Sequence, residues 1–304
     1  MVALVRAARD DSMAAINKLH TLLMEHWASY ETRRVDVKPG LSMVHADAQL
    51  LGKRELMKFE MPDRWSDVTG VVTRRPDVTN QDSPLLDDHP DLLLVLNDLP
   101  TLAKIYRRRF LDVSPSNRFE GAECLYMIIM YACGDGEART MFNARDIGDV
   151  DGDGAPEFLD GWGQPINFVR WPAGFVHASA VMTGDFESDH DPFDPFRRDM
   201  PETASGLATT SNVQMLRDAR GAFRLVPLIF SNGPDGNSGV LTPGDTFVGG
   251  FPSTGDPYPY ARLDPYVSHF SDDEVSNQQR AHVGGFDGRG TDHIDNIHNH
   301  LLDR

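Results

Sequence analysis

Asp149-Val-Asp-Gly-Asp-Gly-Ala-Pro-Glu-Phe-Leu-Asp160 runs on into Gly161-Trp-Gly-Gln-Pro-Ile-Asn-Phe-Val-Arg170. The first twelve residues put acidic side chains at positions 1, 3, 5, 9 and 12, with Gly154 at position 6. This is the ligand spacing of an EF-hand-type calcium loop. A hard cation such as Ca²⁺ takes about six to eight oxygens at roughly 2.3–2.6 Å, and alternate residues of a tightly curled loop can all point inward. Asp149, Asp151, Asp153, Glu157 and Asp160 are the candidate side-chain ligands, and Ala155 at position 7 offers its backbone carbonyl. Gly154 allows the sharp turn because it adopts positive φ without steric penalty. Asp160 stands where Glu is usual, which shortens the reach of a bidentate ligand. Pro156 and Pro165 argue against a continuing exit helix, since proline lacks a donor and clashes in a helix interior. A solvated acidic turn is the alternative, because Asp and Gly suit turns for local reasons. Five acidic positions in register favour the ion.

Outward from the loop, Pro165 to Trp171 reads as a strand, with Ile166, Phe168 and Val169 as β-favouring side chains. Upstream, Ser114 to Glu123 is a good helix start, with polar caps and acids placed favourably for the helix dipole. It leads into Cys124 to Cys133, apolar nearly all round, which predicts a buried helix. On one helix, nine residues apart, Cys124 and Cys133 face opposite sides and cannot pair.

The N-terminal residues 2–33 predict a long helix, since Ile16, Leu19, Leu23, Trp27 and Tyr30 draw one apolar stripe. A second helix is expected from Ala46 to Phe59 and a third from Leu102 to Phe110, with Arg107, Arg108 and Arg109 on its solvated side. Residues 63–90 read as an irregular crossing segment, and Leu92 to Leu96 fits either a buried strand or a helix. Residues 172–220 read as a long insertion, in which His190 is a surface-loop histidine. Phe223 to Phe230 is a second strand, and Pro227 hints at an edge position. Ser231 to Val240 is a glycine-rich tight turn, and Asp292 to Leu302 carries weak helical periodicity.

The whole chain has 304 residues, enough for a real core, with a formal net charge of −17. That charge argues against nucleic acid, whose phosphates demand a basic surface. No run approaches the roughly 20 apolar residues that span a bilayer, and no signal-peptide pattern is present. Gly-x-Ser-x-Gly, His-Glu-x-x-His and a phosphate-binding glycine loop are all missing from the sequence, so no enzyme is expected. His293, His298 and His300 invite a zinc or nuclease reading, but no cysteine lies near them.

Leu159-Asp-Gly-Trp-Gly-Gln-Pro-Ile-Asn-Phe resembles the Asp-Pro-Trp-Gly-Asn-Pro-plus-strand signature of the major pseudopilins of type II secretion. Phe230-Ser-Asn-Gly-Pro-Asp-Gly-Asn-Ser-Gly resembles that family's Ser-x-Gly-x-Asp-Gly turn, in the same order. Glu120 to Tyr126, Asp146 to Gly163 and Val226 to Ser231 are similar to large pilin-like proteins of planctomycete-type bacteria. The resemblance implies an α+β fold, a pilin-like α/β-roll in which a long N-terminal helix packs on a small antiparallel sheet with long irregular insertions. Residues 1–35 would be the pilin-like helix, and 36–304 the head, with the calcium loop at 149–160 and the insertion at 172–220. Ser231 and Asp235 match the family's second calcium region.

The function this implies is a structural subunit of a type II secretion or type IV pilus-like filament, its head stabilised by calcium. Its partners would be other pilin or pseudopilin subunits and secretion-machinery proteins. The expected location is the periplasmic or extracellular face of the cell envelope, because calcium-poor cytosol would leave such a site unfilled. In that family a Gly-Phe-Thr-Leu-x-Glu segment opens a membrane-anchoring helix, and Met1-Val-Ala-Leu-Val matches the end of that anchor. Membrane attachment is thus expected only through a segment outside this sequence. The alternatives are a soluble calcium-dependent extracytoplasmic binding module and, third, a metal-dependent hydrolase.

Overall fold

The stripe of the N-terminal segment becomes one long helix, α1 (Val2–Ser29), with Ile16, Leu19, Leu23 and Trp27 buried along one side. The computed structural model describes residues 2–41, 43–69, 93–113, 115–116, 118–133, 138–175, 190–198, 223–242, 263, 265, 283–285 and 295–301. Among the described residues five further α-helices follow: α2 (His45–Glu60), α3 (Trp65–Thr69), α4 (Thr101–Val113), α5 (Glu120–Tyr131) and α6 (Ala138–Met141). Two short strands, β1 (Ile147–Gly148) and β2 (Glu157–Phe158), pair antiparallel, with Ile147 opposite Phe158 and Gly148 opposite Glu157. A second antiparallel sheet runs in the order β3 (Asn167–Val169), β4 (Leu228–Ser231), β5 (Ile297–His298). The architecture is therefore mixed α+β, with the N-terminal helix lying against β4 and β5 of a small antiparallel sheet. Among the described residues no helix is long and apolar enough to cross a membrane.

The buried helix read from Cys124 onward is α5, which packs on β2 and β3 and also meets α1. Its closest approach uses Gly121, where an added Cβ would sit 2.7 Å from the Phe168 carbonyl oxygen. Leu125, Ile128 and Ile129 of α5 join Ile16, Leu19, Leu23, Phe158, Phe168 and Ile229 in the largest core cluster. Cys124 and Cys133 are buried, unpaired thiols that enter different apolar clusters.

Several expectations need correction. Pro227 does not mark an edge: β4 is the central strand of its sheet, and Pro227 precedes it. The missing N–H thus falls outside the ladder, and the Pro227 carbonyl accepts a 2.9 Å hydrogen bond from the Asn299 side chain. Residues 63–90 contain the short helix α3, and residues 70–90 lie outside the described residues. Among the described residues the segment around Leu96 pairs as an isolated bridge to Val37. The described end of the chain is not helical: Ile297 and His298 pair with β4, and Asn299–Leu301 is a single 3₁₀ turn. Ladder hydrogen bonds to a buried strand outcompete a weak helical pattern there. Of the insertion, residues 176–189 and 199–220 lie outside the described residues. Its described part is not peripheral, since Phe193 packs edge-on against Trp27 at 4.9 Å between ring centroids. Of the three arginines on α4, Arg107 donates a 2.9 Å hydrogen bond to the Val68 carbonyl, while Arg108 is exposed.

Candidate metal centre

The acidic loop is the tip of the β1–β2 hairpin. Its first carboxylate organises the turn: Asp149 Oδ1 accepts from the Gly152 and Asp153 amides at 2.7 and 3.1 Å, and Oδ2 from Gly154 at 2.9 Å. Gly152 and Gly154 have φ of 78° and 94°, a left-handed backbone that disfavours any side chain. Ser116 braces the loop from outside. Its hydroxyl donates to Asp151 Oδ2 at 2.5 Å and its amide donates to Asp153 Oδ2. Asp153 Oδ1 accepts from the Ala155 amide at 2.8 Å, and Glu157 Oε2 from the Val150 amide at 3.1 Å.

Glu123 approaches from beneath, on the buried helix α5. The Trp65 indole N–H donates to its Oε2. Each of three carboxylates is thus held through one oxygen, while the other, Glu123 Oε1, Asp151 Oδ1 or Glu157 Oε1, is buried without a hydrogen-bond donor among the described residues. Carboxylate oxygens of Glu123, Asp151 and Asp153 lie within 4.8 Å of one another, and so do those of Asp149, Asp151 and Glu157. Two ligands bound to one calcium at roughly 2.3–2.6 Å are at most about 5 Å apart, so either group can hold a metal ion.

The electrostatics agree with that capacity. Burial pushes the Glu123 carboxyl up to about 9; the Trp65 hydrogen bond opposes the shift, while the charges of Asp153, Asp151 and Glu157 add to it. Burial likewise pushes Glu157 up to about 7, against the Val150 hydrogen bond and with help from Asp151, Asp149 and Asp153. Among the described residues no basic side chain forms an ion pair with any of these five acids. A bound cation would offset their mutual repulsion directly.

Three other predicted ligands, Asp160, Ser231 and Asp235, are engaged in turns away from the hairpin tip. Asp160 is in neither acidic group, because the β1–β2 ladder carries the chain away from the hairpin tip before it is reached. Its Oδ2 accepts from the Ser231 hydroxyl at 2.6 Å, and its Oδ1 from the Trp162 and Gln164 amides at 2.8 and 2.9 Å. Ser231 is thereby a buried partner of Asp160, joining the 160–164 turn to β4. Asp235 is exposed and accepts from the Asn237 amide at 2.8 Å within its own turn. Ala155 is buried against the side chains of the cluster that contains Trp65 and Met127. Glu123 was missed by loop spacing. Its signal in the sequence is faint, a carboxylate that with Glu120 opens a helix apolar nearly all round beyond them.

His190 and His298 also have definite places. The His190 ring nitrogen Nε2 lies 2.7 Å from the Asp194 carbonyl oxygen, and His298 and His300 are buried against Phe175. Compared with models of protein families, with curated proteins and with solved structures, the chain matches none.

Proposed function

We propose that this chain is a structural subunit of an envelope filament of the type II secretion or type IV pilus kind, with an α/β-roll head stabilised by calcium. The observation that carries the proposal is the seating of α1 on the three-stranded antiparallel sheet beside the acidic hairpin. At the far end of α1, Leu4 and Val5 are 76 % and 47 % exposed, an apolar tip suited to packing against neighbouring subunits. The motifs around Trp162 and Ser231 support the same reading. In it the ion is mechanical, holding the hairpin, and partners are other pilin-like subunits and secretion-machinery proteins on the extracytoplasmic face.

Assembly is tested with Leu4→Cys in the native host. Cys124 and Cys133 are buried, and burial pushes the Cys133 thiol up to about 12, so the introduced thiol is the reactive one. Oxidative cross-linking between copies, in membrane or sheared surface fractions, is the expected result. Recovery as an uncross-linked protein in the soluble cytosolic fraction overturns the filament. The ion is tested by thermal unfolding after chelation. Calcium should raise Tm in the wild type and leave Asp151→Ala unchanged.

A further inference from the structure

We propose that Glu123 of α5, rather than Asp160, closes the cation site, so that Glu123, Asp151 and Asp153 hold the ion together and its binding fastens the hairpin to the buried helix. The proposal rests on the calcium reading above and names the ligand set for it. Three observations carry it. Glu123 is 1 % exposed, yet its Oε1 has no hydrogen-bond donor among the described residues. An uncompensated buried carboxylate oxygen is costly unless a cation or donor meets it. A Glu123 oxygen also lies within 4.8 Å of oxygens from Asp151 and Asp153.

The surrounding bonds look like support for ligands. Trp65 fixes Glu123 through Oε2, leaving Oε1 for the ion. Ser116 fixes Asp151 and Asp153 with its hydroxyl and amide. Partners of this kind orient ligating carboxylates and lower the reorganisation needed on binding. By contrast, Asp160 lies in neither acidic group, and its oxygens accept from Ser231 and from two backbone amides of its own turn. An all-oxygen set of carboxylates on a hairpin tip and a buried helix suits a hard divalent cation, and calcium tolerates irregular geometry best.

The test is calcium titration by calorimetry on the full chain after chelator treatment, with Tm measured for each calcium-free protein. Glu123→Gln keeps an oxygen for the Trp65 N–H but removes the charge. We expect its calcium affinity to fall at least tenfold while its calcium-free Tm stays level or rises. Asp160→Asn should bind calcium within twofold of wild type. Wild-type affinity in Glu123→Gln, or a tenfold loss in Asp160→Asn, overturns the assignment while leaving the calcium reading intact. Absence of calcium uptake by the wild type overturns both. Should Glu123→Gln fail to fold, Glu123→Asp reads the same quantity: its shortened reach lowers affinity if Glu123 is a ligand, and wild-type affinity overturns the proposal.

Discussion

Asp63 and Asp67 are buried against Arg170, Arg64 and Lys58, whereas Glu123, Asp151, Asp153 and Glu157 gather with no basic side chain paired to them among the described residues. In the first region Arg170 reaches Asp67 at 2.9 Å and also donates to the Met61 carbonyl at 2.8 Å, while its amide donates to Asp63 at 3.0 Å. Burial would raise the Asp67 carboxyl, but Arg170, Arg64 and Lys58 together hold it well below the usual carboxylate range. In the second region burial and like charges push the same way, and Glu123 rises to about 9. One acidic region is thus paired with the chain's own cations, although burial still raises the Asp63 carboxyl. The other has its carboxylates braced by neutral donors, an arrangement that suits a cation supplied from solution.

The contrast can be broken most severely at Arg170. Arg170→Ala strips two buried aspartates of their main partner, and loss of one member of a buried ion pair costs about 3–5 kcal/mol. Urea denaturation should register that loss, and calcium should not restore it. Chelation comes next. At a hundredfold excess over its dissociation constant, an ion binding only the native state adds about 2.7 kcal/mol. The increment should also appear in any Arg170 variant that folds, since Arg170 makes no ion pair with the loop carboxylates among the described residues; denaturant curves with and without calcium check this.

A smaller effect is expected at Glu55, a buried acid of a third kind, satisfied by backbone amides. It accepts from the Leu94, Val95 and Leu96 amides at 2.6, 2.8 and 2.7 Å. Glu55→Gln should lose about 1–3 kcal/mol, the range for weakened charge-assisted bonds, with calcium affinity unchanged. The smallest effect is set by acid. Burial lowers the His26 imidazole to about 4, and neighbouring Arg33 lowers it further. The unfolded chain then binds this proton more readily, so stability is present above the ordinary histidine value and is lost as pH falls from 6.5 toward about 4. Between about pH 7.5 and about pH 5.5 the loss should be about 1 kcal/mol, and His26→Gln should remove that part of the pH profile.

Local pattern made much of this legible. The α1 stripe, the buried α5 and the strand at Phe168 follow from spacing and side-chain shape, and each lies where periodicity puts it. The acidic loop is legible for the same reason, since its ligand candidates are close in sequence. What escaped depends on partners distant along the chain. Arg54 on α2 is buried because Asp191 meets it at 3.1 Å, and nothing near Arg54 in sequence announces that. Lys53 likewise ends on the Glu31 carbonyl at 3.0 Å. Glu123 looks like a dipole-favoured acid in a first helical turn until the hairpin is folded over it. Pro227 misled because a proline just before a strand and one inside it look alike in a short apolar run.

Gly161 is pressed so closely onto α1 that a methyl group there would overlap the Ala8 carbonyl. Beside it the Ser12 hydroxyl accepts the Gly161 amide at 2.9 Å and donates to Ala8 at 2.8 Å. The helix is therefore keyed to the head, like a shaft, at a residue with no side chain. A pull along α1 is taken up as shear at this key and passes through Asp160 and Ser231 into the central strand. Sliding by a single residue, about 1.5 Å, would break the Ser12 bond and drive the helix backbone into the turn. An axial load is then shared with the central strand instead of peeling the helix away one turn at a time.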